Sequence, residues 1–168
     1  QAQDSQGGTP VHLRVFGANG STQSLAESDL GRASSIADKN LAGLVAWGCE
    51  GDRFYVASEA VDGASVRQLV DARRAEGSVI GLNHAHVILG HVCNALENVH
   101  KMLVHGGINP ETIRVTSGGR VKLVNLGLLR LVPGLARRGG PVGNQPGMYL
   151  APEVAAGEEP SPAADVYS

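Results

Sequence analysis

The chain has 168 residues and a formal net charge of -2, with 42% apolar residues but only 4% aromatic ones. That length suits one domain with a core built from Leu, Val and Ala. The near-neutral balance excludes the basic footprint of a nucleic-acid binder, and no apolar run reaches the length of a membrane span. Cys49 and Cys93 stand in unrelated contexts without CxxC or Cys/His metal spacing, so they read as buried thiols of a reducing compartment. No signal peptide is visible. The first residue is glutamine, and the expectation is a processed product or a segment with more chain upstream.

In chain order, residues 1–10 are polar and Gly-rich and read as a disordered lead-in. Val11 to Phe16 alternates and reads as a strand carrying Arg14. Ser24 to Ala37 reads as a helix with Leu25, Leu30, Ala33 and Ile36 on one face and Gly31 weakening it. Asn40 to Gly48 and Phe54 to Glu59 read as two strands joined by the turn Cys49 to Arg53. Ser65 to Ala75 is a polar-faced helix, with Arg67, Arg73 and Arg74 read as solvated. Asn83 to Met102 carries the strongest helical pattern, with Asn83 as cap and Val87, Leu89, Val92, Leu96 and Val99 as the apolar stripe. His84, His86, His91 and His100 decorate it, but no HExxH or carboxylate grouping makes them a metal site. Thr112 to Val115 and Arg120 to Val124 form a hairpin across Thr116-Ser117-Gly118-Gly119.

Three stretches then stand together: HGGINPETIRV from His105, GRVKLVNLG from Gly119, and MYLAPEV from Met148. They resemble the catalytic loop, magnesium loop and activation segment of eukaryotic-type Ser/Thr protein kinases, which read HRDLKPEN, DFG and APE. The resemblance runs over about residues 11–168 as an ordered series. It places His105 at the loop histidine, Gly106 at the arginine and Gly107 at the aspartate that accepts the substrate proton. Asn109 stands for the loop lysine, Pro110 and Glu111 match, and Thr112 stands for the metal-binding asparagine. Asn125-Leu126-Gly127 takes the place of DFG, Ala151-Pro152-Glu153 is APE, and Asp165 opens the next helix. Upstream, Arg14 corresponds to the phosphate-pairing strand lysine, and Asp29, with Glu27 as the other candidate, to its glutamate partner. An Arg14–Asp29 ion pair and a solvated acidic helix face are equally open readings. Ser58 takes the gatekeeper position and residues 59–63 the hinge.

The substitutions have a physical meaning of their own. Phosphoryl transfer is mostly positioning and electrostatic stabilisation by cations. Magnesium prefers carboxylate oxygens, whereas Asn125 and Thr112 offer neutral ones. Gly107 has no side chain to act as a base. The retained positions look architectural: His105 and Leu126 as packing residues, and Asp165 as an acceptor for backbone N–H groups of the loop. Glu153 is expected to be exposed, or paired with a basic group. Between Asn125 and Glu153 the only hydroxyl side chain is Tyr149, so the phosphate acceptor and the arginine that would receive it at Gly106 are both missing. Gln145 stands near the place of a substrate-contacting threonine, and Arg137, Arg138, Gly139 and Gly140 make a basic loop tip read as solvated. No Gly-rich phosphate loop precedes Val11.

The expectation is therefore an α+β, protein-kinase-like fold, incomplete at both ends. A small-lobe part (11–59) would hold an antiparallel sheet and helix C, and a large-lobe part (60–168) the helices, the degenerate loop and the activation segment. The resemblance with these losses implies a pseudokinase: no enzyme, no cofactor and no metal, acting on an unidentified protein partner as scaffold or regulator. It is expected in the cytoplasm, as a free module or as the cytoplasmic domain of a membrane protein. One alternative is an atypical nucleotide-binding or weakly active kinase using Arg14 and another acid. The other is a purely structural domain of a larger membrane-linked signalling or cell-envelope protein.

Overall fold

The computed structural model describes residues 2–3, 10–17, 28–128 and 148–168. Four antiparallel strands form the first sheet: β1 (Ala2–Gln3), β2 (Pro10–Gly17), β3 (Leu44–Glu50) and β4 (Arg53–Glu59), in the order β1-β2-β4-β3. Arg14 lies opposite Val56 and Phe16 opposite Phe54, so these side chains share one face of the sheet. That face packs on a short helix, α1 (residues 28–34), through a cluster of Leu30, Phe54, Val56 and Leu128.

A second sheet of three strands, β5 (Ala64–Ser65), β6 (Ile113–Val115) and β7 (Val121–Leu123), sits beside the helices α2 (Val66–Ala75) and α3 (Leu82–Val99). Ser65 starts α2 with a capping box: its hydroxyl accepts from Gln68 N while the Gln68 side chain accepts from Ser65 N. The main core joins Val92, Ala95, Leu96 and Val99 of α3 to Val121 and Leu123, with Ala33 of α1 and Leu41 beside them. Full burial of one such Val or Leu contributes about 1.5–3 kcal/mol. Two short helices follow, α4 (Pro152–Ala156) and α5 (Pro162–Tyr167), each opened by a proline in its first turn.

Several elements depart from the sequence expectation. Ala2 and Gln3 pair with Val11 and Pro10, so part of the expected disordered lead-in is a strand. Residues 40–43 do not belong to β3. Asn40 O and Ala42 N exchange hydrogen bonds with Leu123, and Asn40 Nδ2 donates to Val121 O at 2.8 Å, so β7 captures this run. α3 starts after Gly81, whose extended backbone ends the turn without a side-chain cap, so Asn83 lies inside the helix. Val87 and Leu89 are 57% and 55% exposed, and the buried stripe is confined to the second half of α3. Cys49 and Cys93 are free but exposed rather than buried. Expected helical residues 24–27 and the loop positions Arg137, Arg138, Gly139, Gly140 and Gln145 lie outside the described residues.

Candidate functional site

The site begins at the turn of His105 and Gly106. His105, 0% exposed, and Gly106, at φ 72°, direct their N–H groups at one carboxylate. Asp165 of α5 accepts from His105 N at 2.8 Å through Oδ2 and from Gly106 N at 2.7 Å through Oδ1. Its Oδ2 also accepts from His100 Nε2 at 2.9 Å, at the end of α3. A buried charge needs such partners to be tolerated, and Asp165 finds three across about sixty residues of chain. The sequence singles out His100 only among the histidines of the α3 pattern; its contact with Asp165 arises only where α3 ends.

His105 Nε2–H donates to Val124 O at 3.1 Å, which leaves Nδ1 as a buried acceptor without a partner. Burial holds the imidazole below its usual pKa, over the opposing pull of the Asp165 carboxylate and the Val124 carbonyl. The group is therefore a neutral packing side chain. Leu126 packs against the main core, and Gly127 N donates to His105 O at 3.2 Å.

The middle of the loop is folded into itself. Asn109 Oδ1 accepts from Glu111 N at 2.8 Å, and its Nδ2 donates to Gly107 O. Thr112, 0% exposed, accepts from Asn109 N at 2.9 Å and has Gly107 O and Asn109 O within 3.1 Å of its hydroxyl. These side chains serve the turn, as Asx and Ser/Thr motifs do. Glu111 Oε2 accepts from the Ser65 hydroxyl at 3.0 Å, which ties the loop to the N-terminus of α2. The sequence places the start of α2 at Ser65; the capping box with Gln68 and the bond to Glu111 appear only in the folded structure.

Above the loop, Arg14 and Asn125 line one narrow space together with Leu44, Val56, Ser58 and Leu128. Its volume is about 20 Å³. Asn125 adopts φ 69°, a left-handed conformation that asparagine tolerates. Burial pulls the Arg14 guanidinium below its usual pKa, yet an arginine stays charged. Its Nε and Nη1 are buried without a hydrogen-bond partner. Asp29 lines a different crevice with Leu30, Ala33 and Leu103, and the ion pairs among the described residues do not include one between Arg14 and Asp29. At the end of β4, Glu59 Oε2 accepts from Lys122 Nζ at 2.7 Å and from Gly43 N at 3.3 Å. Tyr149 accepts from Arg67 Nη2 at 3.1 Å, and Glu153 is partly exposed in the first turn of α4.

These residues do not fit a magnesium–nucleotide complex. The hydroxyl of Thr112 is already committed to the turn, Asn125 supplies only a neutral amide, and the described residues hold no group of three His, Cys, Asp or Glu able to hold a metal ion.

No family profile matches the chain. It is 33% identical over 122 residues to the serine/threonine-protein kinase PknA of Mycobacterium tuberculosis (strain ATCC 25177 / H37Ra), covering 71% of this chain and 27% of that protein. It is 32% identical over 166 residues to PknL of Mycobacterium bovis, covering 95% of this chain and 40% of that one. A probable serine/threonine-protein kinase, PknB of Bifidobacterium longum, is 32% identical over 119 residues, covering 68% of this chain and 16% of that protein. The chain thus spans less than half the length of these relatives. Among solved structures, the kinase domain of Mycobacterium tuberculosis PknI superposes with a TM-score of 0.72 at 23% identity, over 92% of this chain and 58% of that one.

The expectation that the chain is no enzyme is corrected by these relatives, which are named as Ser/Thr protein kinases. The losses at Gly107 and Asn125 concern individual groups and do not remove the chain from an enzyme family. From the Asp165-anchored turn to the fold that carries it, the chain belongs to the eukaryotic-type, bacterial Ser/Thr protein kinase-like family.

Proposed function

We propose that this chain is a signalling module of its kinase-like family that works chiefly by binding another protein, as a scaffold or regulator. The narrowness of the space beside Arg14 among the described residues supports this reading. A space of about 20 Å³ holds one water molecule, whereas ligand pockets run to ~300–1,000 Å³. Phosphoryl transfer by this chain would run without a carboxylate at Gly107 and without a charged ligand at Thr112 or Asn125. Absence of a positioned base alone slows such a step by about a hundred- to ten-thousand-fold.

A second reading, slow transfer from a bound nucleotide, is favoured by one observation. The Arg14 guanidinium stands in the cleft with Nε and Nη1 unpartnered, as a group awaiting an anion would. A radiolabelled phosphotransfer assay with magnesium or manganese separates the two. The protein-binding reading expects incorporation at least ~100-fold below that of a family member with both carboxylates. Faster incorporation that Arg14→Ala abolishes would establish the second reading instead.

The division at residues 59 and 60 belongs to the same proposal. Glu59 ends β4, and its pair with Lys122 supports it as the joint between the two parts. The exposed, unbridged Cys49 and Cys93 support a reducing, cytoplasmic setting. No described helix is long and apolar enough to cross a membrane.

A further inference from the structure

The stretch before α4 sets one hydroxyl against one guanidinium. Tyr149 is the only Ser, Thr or Tyr between Asn125 and Glu153. Its Oη accepts from Arg67 Nη2 at 3.1 Å, across 82 residues of chain. Arg67 stands in the first turn of α2, where its own backbone N–H donates to Pro110 O at 3.0 Å. The Ser65 cap holds that turn, so the guanidinium is mounted on a fixed helix end rather than on a loop. None of the ion pairs among the described residues involves Arg67. Glu111 of the adjoining loop is turned to the Ser65 hydroxyl at 3.0 Å instead. A side chain whose five donors suit a carboxylate or a phosphate thus faces a neutral phenol oxygen.

The surroundings let the phenol leave and return. Met148 is 66% exposed, whereas Ala151, two residues after Tyr149, is buried. Tyr149 itself is half-buried. A single side-chain hydrogen bond favours the docked position by no more than about tenfold, so the hydroxyl is open to an enzyme for part of the time. A phosphate on Oη carries a charge of about −1.5 to −2 and three acceptor oxygens. The planar guanidinium can meet two of those oxygens in parallel hydrogen bonds. The contact that is weak with a phenol becomes strong with its phosphate ester.

We propose that Tyr149 is a phosphorylation site and Arg67 its receiving group, the phosphate clamping residues 148–151 onto α2. The donor is a nucleoside triphosphate held by a separate protein kinase. Tyr149 Oη attacks the γ-phosphorus. The Oη–P bond forms, the bond from that phosphorus to the β–γ bridging oxygen breaks, and the nucleoside diphosphate leaves. The phenol proton passes to a base of that kinase. Arg67 takes no part in the transfer and holds the product. The assignment goes beyond the protein-binding reading and does not depend on it, since the phosphate is delivered from outside this chain.

Two experiments on the whole chain test it. In the first, the chain is treated with ATP, magnesium and a broad-specificity protein tyrosine kinase, and its peptides are mapped by mass. Phosphate is expected on Tyr149, and phosphate confined to Tyr55 or Tyr167 would overturn the site. In the second, phosphotyrosine is built in by amber-codon incorporation at Tyr149 or, as a reference, at the 62%-exposed Tyr167, and each chain is treated with a protein tyrosine phosphatase. The phosphate on Tyr149 is expected to leave at least about tenfold more slowly than that on Tyr167, and Arg67→Gln to remove most of the difference. Equal rates at the two positions would overturn the pairing. Slow release that Arg67→Gln leaves unchanged would assign the protection to burial alone and overturn it as well. Circular dichroism checks each variant. If Arg67→Gln fails to fold, Arg67→Lys decides, because it keeps the charge without the fork: an intermediate rate is expected, and an unchanged one would overturn the pairing.

Discussion

Removing the Asp165 carboxylate is the most informative single perturbation. Asp165 is 4% exposed and accepts from His105 N, Gly106 N and His100 Nε2 at 2.8, 2.7 and 2.9 Å. Asp165→Ala leaves two backbone N–H groups in a dry turn with nothing to donate to. A stranded buried donor costs about 1–3 kcal/mol, and losing one partner of a buried charged network costs ~3–5 kcal/mol. The expected loss is thus about 3–5 kcal/mol, a large share of the ~5–15 kcal/mol that holds a typical domain. Asp165→Asn keeps one acceptor oxygen but turns an NH2 toward a donor, so about half that loss is expected. Urea denaturation followed by circular dichroism measures both. Amide exchange read at His105 and Gly106 separates loss of the turn from fraying of α5. A loss below about 1 kcal/mol for the alanine variant, or unchanged exchange at both amides, would refute the assignment of Asp165 as the anchor of the loop.

Other consequences follow from the same geometry. Burial depresses the pKa of His105 from the usual 6.5, so as the pH falls the unfolded chain takes up this proton before the folded one. Stability is then complete above pH 6.5 and falls as the pH drops below that value, by up to ~1.4 kcal/mol per pH unit. His12 is shifted the same way, by burial and then by the Arg14 charge, and acts in the same window. Denaturation curves between pH ~7.5 and ~5.5 check this, and His105→Gln is expected to flatten the slope. Gly63→Ala places a Cβ 2.1 Å from Val115 O at φ +97°, so a loss of at least ~2 kcal/mol is expected in the same denaturation assay. Ser65→Ala removes the cap of α2 and the bond to Glu111, with an expected loss of about 2 kcal/mol that Ser65→Thr largely restores.

The parts of the fold that were legible are those fixed by local chemistry. Thr116 to Gly119 marks a turn whatever surrounds it, and β6 and β7 flank it as expected. α2 starts at its cap Ser65, where the sequence places it. The illegible parts depend on which partner an element meets. Residues 40–43 have the same apolar look as β3 after them, yet the edge of β7 takes their hydrogen bonds. Val87 and Leu89 continue the helical stripe of α3 in sequence, but the buried contacts of that helix begin at Val92. The loop shows the same division. That Gly107 lacks a base can be read from one letter, whereas the inward use of Asn109 and Thr112, and His100 as third donor to Asp165, appear only when the turn closes.

The proposed protein-binding function depends most on the space between Arg14 and Asn125 being too small for a nucleotide. Thermal denaturation of the chain with rising ATP, with and without magnesium, measures this directly, because a ligand that binds only the folded state must raise the melting temperature. The account predicts a melting temperature that stays unchanged up to millimolar nucleotide. A saturable, magnesium-dependent rise that Arg14→Ala removes would contradict it.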